Sequence, residues 1–210
     1  MSMPELLEAY IKKLRDNGAV VLDTYIIENN RIDPNKFGQL NLTIPQDLID
    51  FWQVIKGVEP DLQTTVERTW FDGTFTYFSD QESLVDYQAW REACKKNPQM
   101  NDWYMPEGFL PIGSPGDGSR ILMNCRDKSP TFGQLYELFH GIGLSKLSES
   151  LVQYFRTLLL AFGDGLSVVD GVVEIHEKKF KKLAAMMNPG CSGWYDIPQV
   201  QDWLPDEGKK

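Results

Sequence analysis

An α+β fold, a mostly antiparallel sheet with a central meander and helices packed around it in a single domain, is predicted by three features of this chain. Residues 109–124 read FLPIGSPGDGSRILMN. Two apolar runs are joined there by a glycine-rich loop with its tip at Asp117-Gly118, the pattern of a hairpin. Residues 134–140 then alternate, with Leu135, Glu137 and Phe139 on one face and Tyr136, Leu138 and His140 on the other. This makes a third strand, and its two apolar faces imply a sheet covered on both sides. Flanking segments with apolar residues at helical spacing supply the cover.

Taken in order, Ser2 and Glu5 form a capping box, and Leu6, Leu7, Tyr10, Ile11 and Leu14 repeat at helical spacing up to Asn17-Gly18, so residues 3–17 are read as a helix. Residues 19–41 show no sustained period and are read as irregular. A second helix starts at Thr43 and Pro45, carries Leu48, Ile49, Phe51, Trp52 and Ile55, and is closed by Gly57 and Pro60. Residues 69–78 are aromatic and β-branched, which predicts a strand or a tight hairpin turning at Asp72-Gly73. Ser79 and Glu82 form a second capping box for a helix with Leu84, Tyr87, Trp90, Arg91 and Cys94, ending at Asn97-Pro98. After the meander, Ser148 is read as the cap of a helix with Leu151, Phe155, Leu158, Leu159 and Phe162 on one side. Residues 168–173, VVDGVV, signal another hairpin, and residues 177–187 a final helix. The tail from Asn188 to Lys210 is read as only partly anchored.

The chain has 210 residues, 42% hydrophobic and 24% charged, with six Trp, eleven Phe and eight Tyr, a balance that can bury a proper core. Cys94, Cys125 and Cys191 are widely spaced and lack any Cys-x-x-Cys, so neither a disulfide framework nor a zinc site is indicated. The longest fully apolar run, residues 158–162, is far short of the roughly 20 residues of a membrane span, and the first residues lack a signal-peptide pattern. The expectation is a cytoplasmic protein that is not membrane-bound. A net charge of −9 argues against nucleic acid as the partner, because phosphate recognition needs a basic footprint.

Candidate chemical sites are weak one by one. The loop GSPGDGS from Gly113 lacks the Gly-Lys-Ser/Thr ending of a phosphate-binding loop and opens no helix, so it is read as a turn. Glu137 and His140 have a metal-type spacing, but on a strand they point to opposite faces. His140 and His176 lie beside no evident Ser or Cys nucleophile and are read as structural. Lys178, Lys179, Lys181 and Lys182 around Phe180 are read as a solvated helix face. Among the tryptophans outside the helices, Trp70, Trp103, Trp194 and Trp203, only the loop residues Trp103 and Trp203 are set apart from the core. No catalytic residue, metal or cofactor emerges.

The order of these stretches resembles the SUKH superfamily, which groups fungal regulators of cell-wall glucan synthesis with bacterial immunity proteins that neutralise polymorphic toxins. Thr43-Ile44-Pro45 through Leu48, Phe51-Trp52 and Gly57 is similar to the family's proline-started helix. Residues 109–124 and 134–140 resemble its strand, Gly-Asp-Gly loop and following strands, residues 148–162 its next helix, and KLAAMMNPGCSGW from Lys182 an Asn-Pro-Gly ending of some members. Lys56-Gly57 stands where Asn-Gly is common, and Asn124 where an acidic residue is frequent. The resemblance implies an α+β domain that binds another protein rather than catalysing a reaction. For an acidic chain the expected partner is a basic toxin domain. Regulation as a scaffold, or a small-ligand site in a cleft along the sheet, is the alternative. The residues expected to meet a partner are Asp72, Trp103 and Asp117 on loops, with Asp202 and Trp203 in the acidic tail.

Overall fold

The computed structural model describes residues 1–28, 31–59, 64–97, 106–139 and 143–191. Among them the chain forms α1 (Met3–Asp16), β1 (Tyr25–Ile27), α2 (Asn35–Gly38), α3 (Gln46–Val54), β2 (Ile55–Val58), β3 (Thr76–Tyr77) and α4 (Asp80–Lys96). There follow β4 (Phe109–Ser114), β5 (Arg120–Asn124), β6 (Leu135–Phe139), β7 (Gly143–Ser148), α5 (Leu151–Ala161), β8 (Leu166–Val169), β9 (Val172–Ile175) and α6 (Glu177–Met187). Strands β3 to β7 make one five-stranded antiparallel sheet in chain order, with α4 inserted between β3 and β4. A two-stranded antiparallel sheet, β1–β2, whose strands are joined through α2 and α3, and a short hairpin, β8–β9, stand outside it.

Local chemistry accounts for several boundaries. The backbone N–H of Ser2 donates to Glu5 Oε2 at 2.7 Å, and that of Ser79 to Glu82 Oε2 at 2.7 Å, so both predicted capping boxes start their helices. The turn between β8 and β9 puts Asp170 at φ 49° and Gly171 at φ 82°, the pair of positive angles that a two-residue hairpin needs. The predicted meander is present as β4, β5 and β6.

Other elements differ from the sequence reading. Helix α3 ends at Val54 and the chain passes straight into β2, so Gly57 is a strand residue rather than a helix stop. Its φ is +90°, and a Cβ there would lie 2.6 Å from Glu82 Oε2 and 3.0 Å from the Ser79 nitrogen, so the cap of α4 occupies the space. Ser148 lies in β7; the cap of α5 is Ser150, whose Oγ accepts from the Gln153 N–H at 3.1 Å. Strand β7 carries no strand signal in the sequence, because GLSKLS has no clean alternation and its Gly and Ser residues are buried all the same. In place of a strand over 69–78 there are a 3-10 turn (Val66–Thr69), a loop and the two residues of β3. The start of the tail is packed. Asn188 is buried, donates to Thr157 Oγ1 at 3.0 Å and accepts from Ser148 Oγ at 2.8 Å.

Both faces of the sheet are covered. On one, an aromatic cluster joins α1, α3, α5 and β3: Tyr10, Phe51 and Tyr77 stand 5.7, 5.7 and 6.0 Å from the Phe155 ring, and Phe71 of the loop before β3 at 6.4 Å. On the other lies α4, tied down where Arg120 of β5 donates to both carboxylate oxygens of Asp86 at 2.8 and 3.3 Å, with Trp90 and Phe78 beside its guanidinium. Phe155 is fully buried at the junction of the first layer. Phe155→Ala should cost about 3–5 kcal/mol, read as a lower urea midpoint at unchanged slope.

Candidate interaction site at one end of the sheet

Asp72 organises the loop between the 3-10 turn and β3. Its Oδ1 accepts the backbone N–H of Thr74 at 2.9 Å and of Phe75 at 2.8 Å, and its Oδ2 accepts the hydroxyls of Tyr77 at 2.7 Å and Tyr154 at 2.9 Å. Further tyrosines clamp the same loop. Tyr10 donates to Phe71 O at 3.1 Å, and Tyr25 donates to Thr69 O at 3.0 Å while accepting the Tyr77 N–H at 2.7 Å. Burial pushes the Asp72 carboxyl above the usual range, opposed by these donated hydrogen bonds. Burial and the Asp72 charge hold Tyr10, Tyr77 and Tyr154 well above their usual range, so they remain neutral donors.

The loop so held lies against the tip of the β4–β5 hairpin. Trp70, half-buried, donates its Nε1–H to Pro115 O at 3.2 Å, and Val66, 42% exposed, packs on Gly116. Inside the hairpin, Ser114 Oγ donates to Ser119 O at 3.0 Å and accepts from the Gly116 N–H at 3.0 Å and from Arg120 Nη1 at 3.1 Å. Asp117 is exposed at the tip, its Oδ1 accepting the Ser119 N–H at 2.8 Å. Exposed Glu67 is held below the usual carboxylate range by its own backbone N–H and the Thr65 hydroxyl. A firm hairpin thus presents Asp117 at a tip that Val66 and Trp70 pack against, with Glu67 next to Val66 in the chain.

One row inward, the register aligns Tyr77, Gly113, Ile121, Glu137 and Ser145 across all five strands. Tyr77 places this row on the face covered by α1, α3 and α5. Burial, followed by the charges of Asp72 and Asp117, pushes the Glu137 carboxyl up to about 8, with Lys181 of α6 opposing. Ser145 is fully buried beside it, and its hydroxyl has no hydrogen-bond partner among the described residues.

The predicted site residues therefore part company. Asp117 is at the surface as expected. Asp72 is not: it is wholly buried, and the expectation that it would meet a partner is corrected, because four donors inside the protein take up its oxygens. Trp103, Asp202 and Trp203, like His140 and Trp194, lie outside the described residues. A serine does stand beside a histidine, contrary to the sequence reading: Ser167 Oγ is 2.8 Å from His176 Nε2 across the β8–β9 hairpin. The pair is solvent-facing, and no described residue orients the other ring nitrogen, as a nucleophile-activating histidine requires. The lysines of α6 are largely exposed, Lys179 paired with Asp164 and Lys181 with Glu177, and Phe180 turns inward. Glu137 and Ser145 escaped notice as a pair because strand register brings them together; the legible signal was a lone acid in an apolar strand.

Two outcomes separate these acids. Asp72→Ala should cost about 3–5 kcal/mol, since it strands two buried hydroxyls and two N–H groups, whereas Asp117→Lys should change stability by less than about 0.5 kcal/mol, both read by urea unfolding. The second concerns pH. With a folded value near 8 against 4.5 for the ordinary group, Glu137 holds its proton in the native state longer than in the unfolded state. Its contribution is complete below the unfolded value and is lost as pH rises through that window. Glu137→Gln should therefore gain stability relative to the native sequence between about pH 5 and pH 8, and matched melts that show no widening difference would remove this assignment.

A model of the SMI1 / KNR4 family (SUKH-1) matches residues 38–157, which takes in α3, β2 to β7 and most of α5, and stops short of α6. A search of curated proteins gives no match. The matched stretch covers more than half of the chain and contains the whole five-stranded sheet, the Asp72 loop and the β4–β5 hairpin; the chain belongs to the SMI1 / KNR4 family (SUKH-1).

Proposed function

We propose that this protein acts by binding another protein, most concretely as an immunity protein that occludes a basic toxin domain, and that it performs no catalysis of its own. The observation that carries the reading is the β4–β5 tip, where exposed Asp117 stands beside the loop carrying Val66, exposed Glu67 and Trp70, on a chain of net charge −9. Family membership supports it, since an immunity or regulatory role fits that family. The chemistry favours a positively charged partner, because rim acids raise the rate of encounter while a packed aromatic beside them resists dissociation. A hairpin already braced by Ser114 and Arg120 loses little conformational freedom on binding. Trp103, Asp202 and Trp203 remain proposed partner-binding residues.

Capture of the partner from the native cell with the full chain, followed by stopped-flow kinetics, tests the proposal. Glu67→Lys with Asp117→Lys should slow association about tenfold at low salt with little change in dissociation, and Trp70→Ala should speed dissociation instead. An acidic partner, or rates indifferent to all three substitutions, would move the interface elsewhere.

A further inference from the structure

Glu137 and Ser145 are direct cross-strand partners on β6 and β7, so their side chains leave the same face of the sheet, with Cβ atoms about 5 Å apart in such pairs. The Ser145 hydroxyl is fully buried and has no hydrogen-bond partner among the described residues. Glu137 is part-buried, and its carboxyl accepts no hydrogen bond from the described residues. Buried polar atoms are nearly always partnered, and two neighbours in one row lacking partners point to a common ligand.

The sign of that ligand follows from what faces the pair. Asp72 in the loop before β3 and Asp117 on the hairpin tip both bear on Glu137 as negative charges. From α5, Tyr154 has its hydroxyl directed to Asp72. From α6, Lys181 brings a positive charge and is itself paired with Glu177 at 2.9 Å. Like charge and lost hydration resist ionisation of Glu137, and an added cation relieves both. The acceptors are a carboxylate and a hydroxyl side by side, which suits a planar fork of N–H donors. A guanidinium is also less strongly hydrated than an ammonium and enters a part-buried site at lower cost.

We infer that Glu137 and Ser145 form a subsite for a guanidinium group, supplied by an arginine side chain of the basic partner, an assignment that rests on the binding role proposed above. On entry of the cation the Glu137 proton passes to solvent, leaving a carboxylate paired with the guanidinium and the Ser145 oxygen accepting a further N–H. Binding is thereby linked to pH. Arginine affinity strengthens as pH rises toward the Glu137 value and levels off above it.

The test needs no partner. In the full chain, the carboxyl carbon of Glu137 is followed by NMR through a pH titration with methylguanidinium chloride, with N-acetyl-arginine amide, with spermidine, and with tetramethylammonium as a cation that has no N–H donors. So few atoms bind at about millimolar strength, so a probe at roughly tenfold over its dissociation constant should lower the Glu137 midpoint by about one pH unit. Both guanidinium probes should do so, Ser145→Ala should reduce the shift, and Glu137→Gln should abolish saturable binding. An unmoved midpoint, an equal response to tetramethylammonium, or a response confined to spermidine would each overturn the subsite. Capture of a basic partner that binds Glu137→Gln as tightly as the native chain would overturn this inference alone and leave the binding role standing.

Discussion

A single desolvated carboxyl, that of Asp72, holds the architecture at the edge of the sheet. Four donors from three places in the chain converge on it: two N–H groups of its own loop, Tyr77 of β3 and Tyr154 of α5. An ionised group without solvent is costly, and the cost is met only when each oxygen is fully hydrogen-bonded. The loop consequently has one workable arrangement. It is the arrangement in which β3 lies against β4, α5 sits over the sheet, and Tyr10 and Tyr25 reach the loop from α1 and β1. Apolar packing alone would hold these elements together with less insistence on register.

That constraint reaches the surface. By fixing the chain from Thr69 to Tyr77, it sets Trp70 against Pro115 and Val66 against Gly116, so the β4–β5 tip is supported from the side as well as by its own serine and arginine bonds. Recognition loops work best when the scaffold beneath them does not give way. Inward along the sheet, burial is the main reason the Glu137 carboxyl rises to about 8, and the Asp72 and Asp117 charges add to it. Fold stability and the character of the row beneath the hairpin are therefore set by shared electrostatics, with Asp72 contributing to both.

Much of the fold was legible in local chemistry. Capping boxes at Ser2 and Ser79, the helical stripes of α1, α3, α4 and α5, the alternation of residues 135–139 and the Asp-Gly turns at 117–118 and 170–171 each act over a few residues, and the helices and hairpins they predict are present. Misreadings arose where a distant contact overrode the local signal. Gly57 looks like a helix stop, yet it is glycine because the cap of α4 leaves no room for a Cβ. Ser148 looks like a cap, yet it faces Asn188 across the chain.

The site divides along the same line. The sequence by itself determined that the chain is acidic, aromatic-rich and built on a meander with an Asp-Gly tip, and it placed Asp117 at that tip, since turn chemistry and net charge need no knowledge of the fold. Only the tertiary structure decided that Asp72, in an equally turn-like Asp-Gly, faces inward: its fate depends on hydroxyls from β3 and α5, the latter 82 residues away. Likewise, Glu137 and Ser145 become neighbours only once β6 and β7 pair in one register, because a slip of one residue would send each to the opposite face.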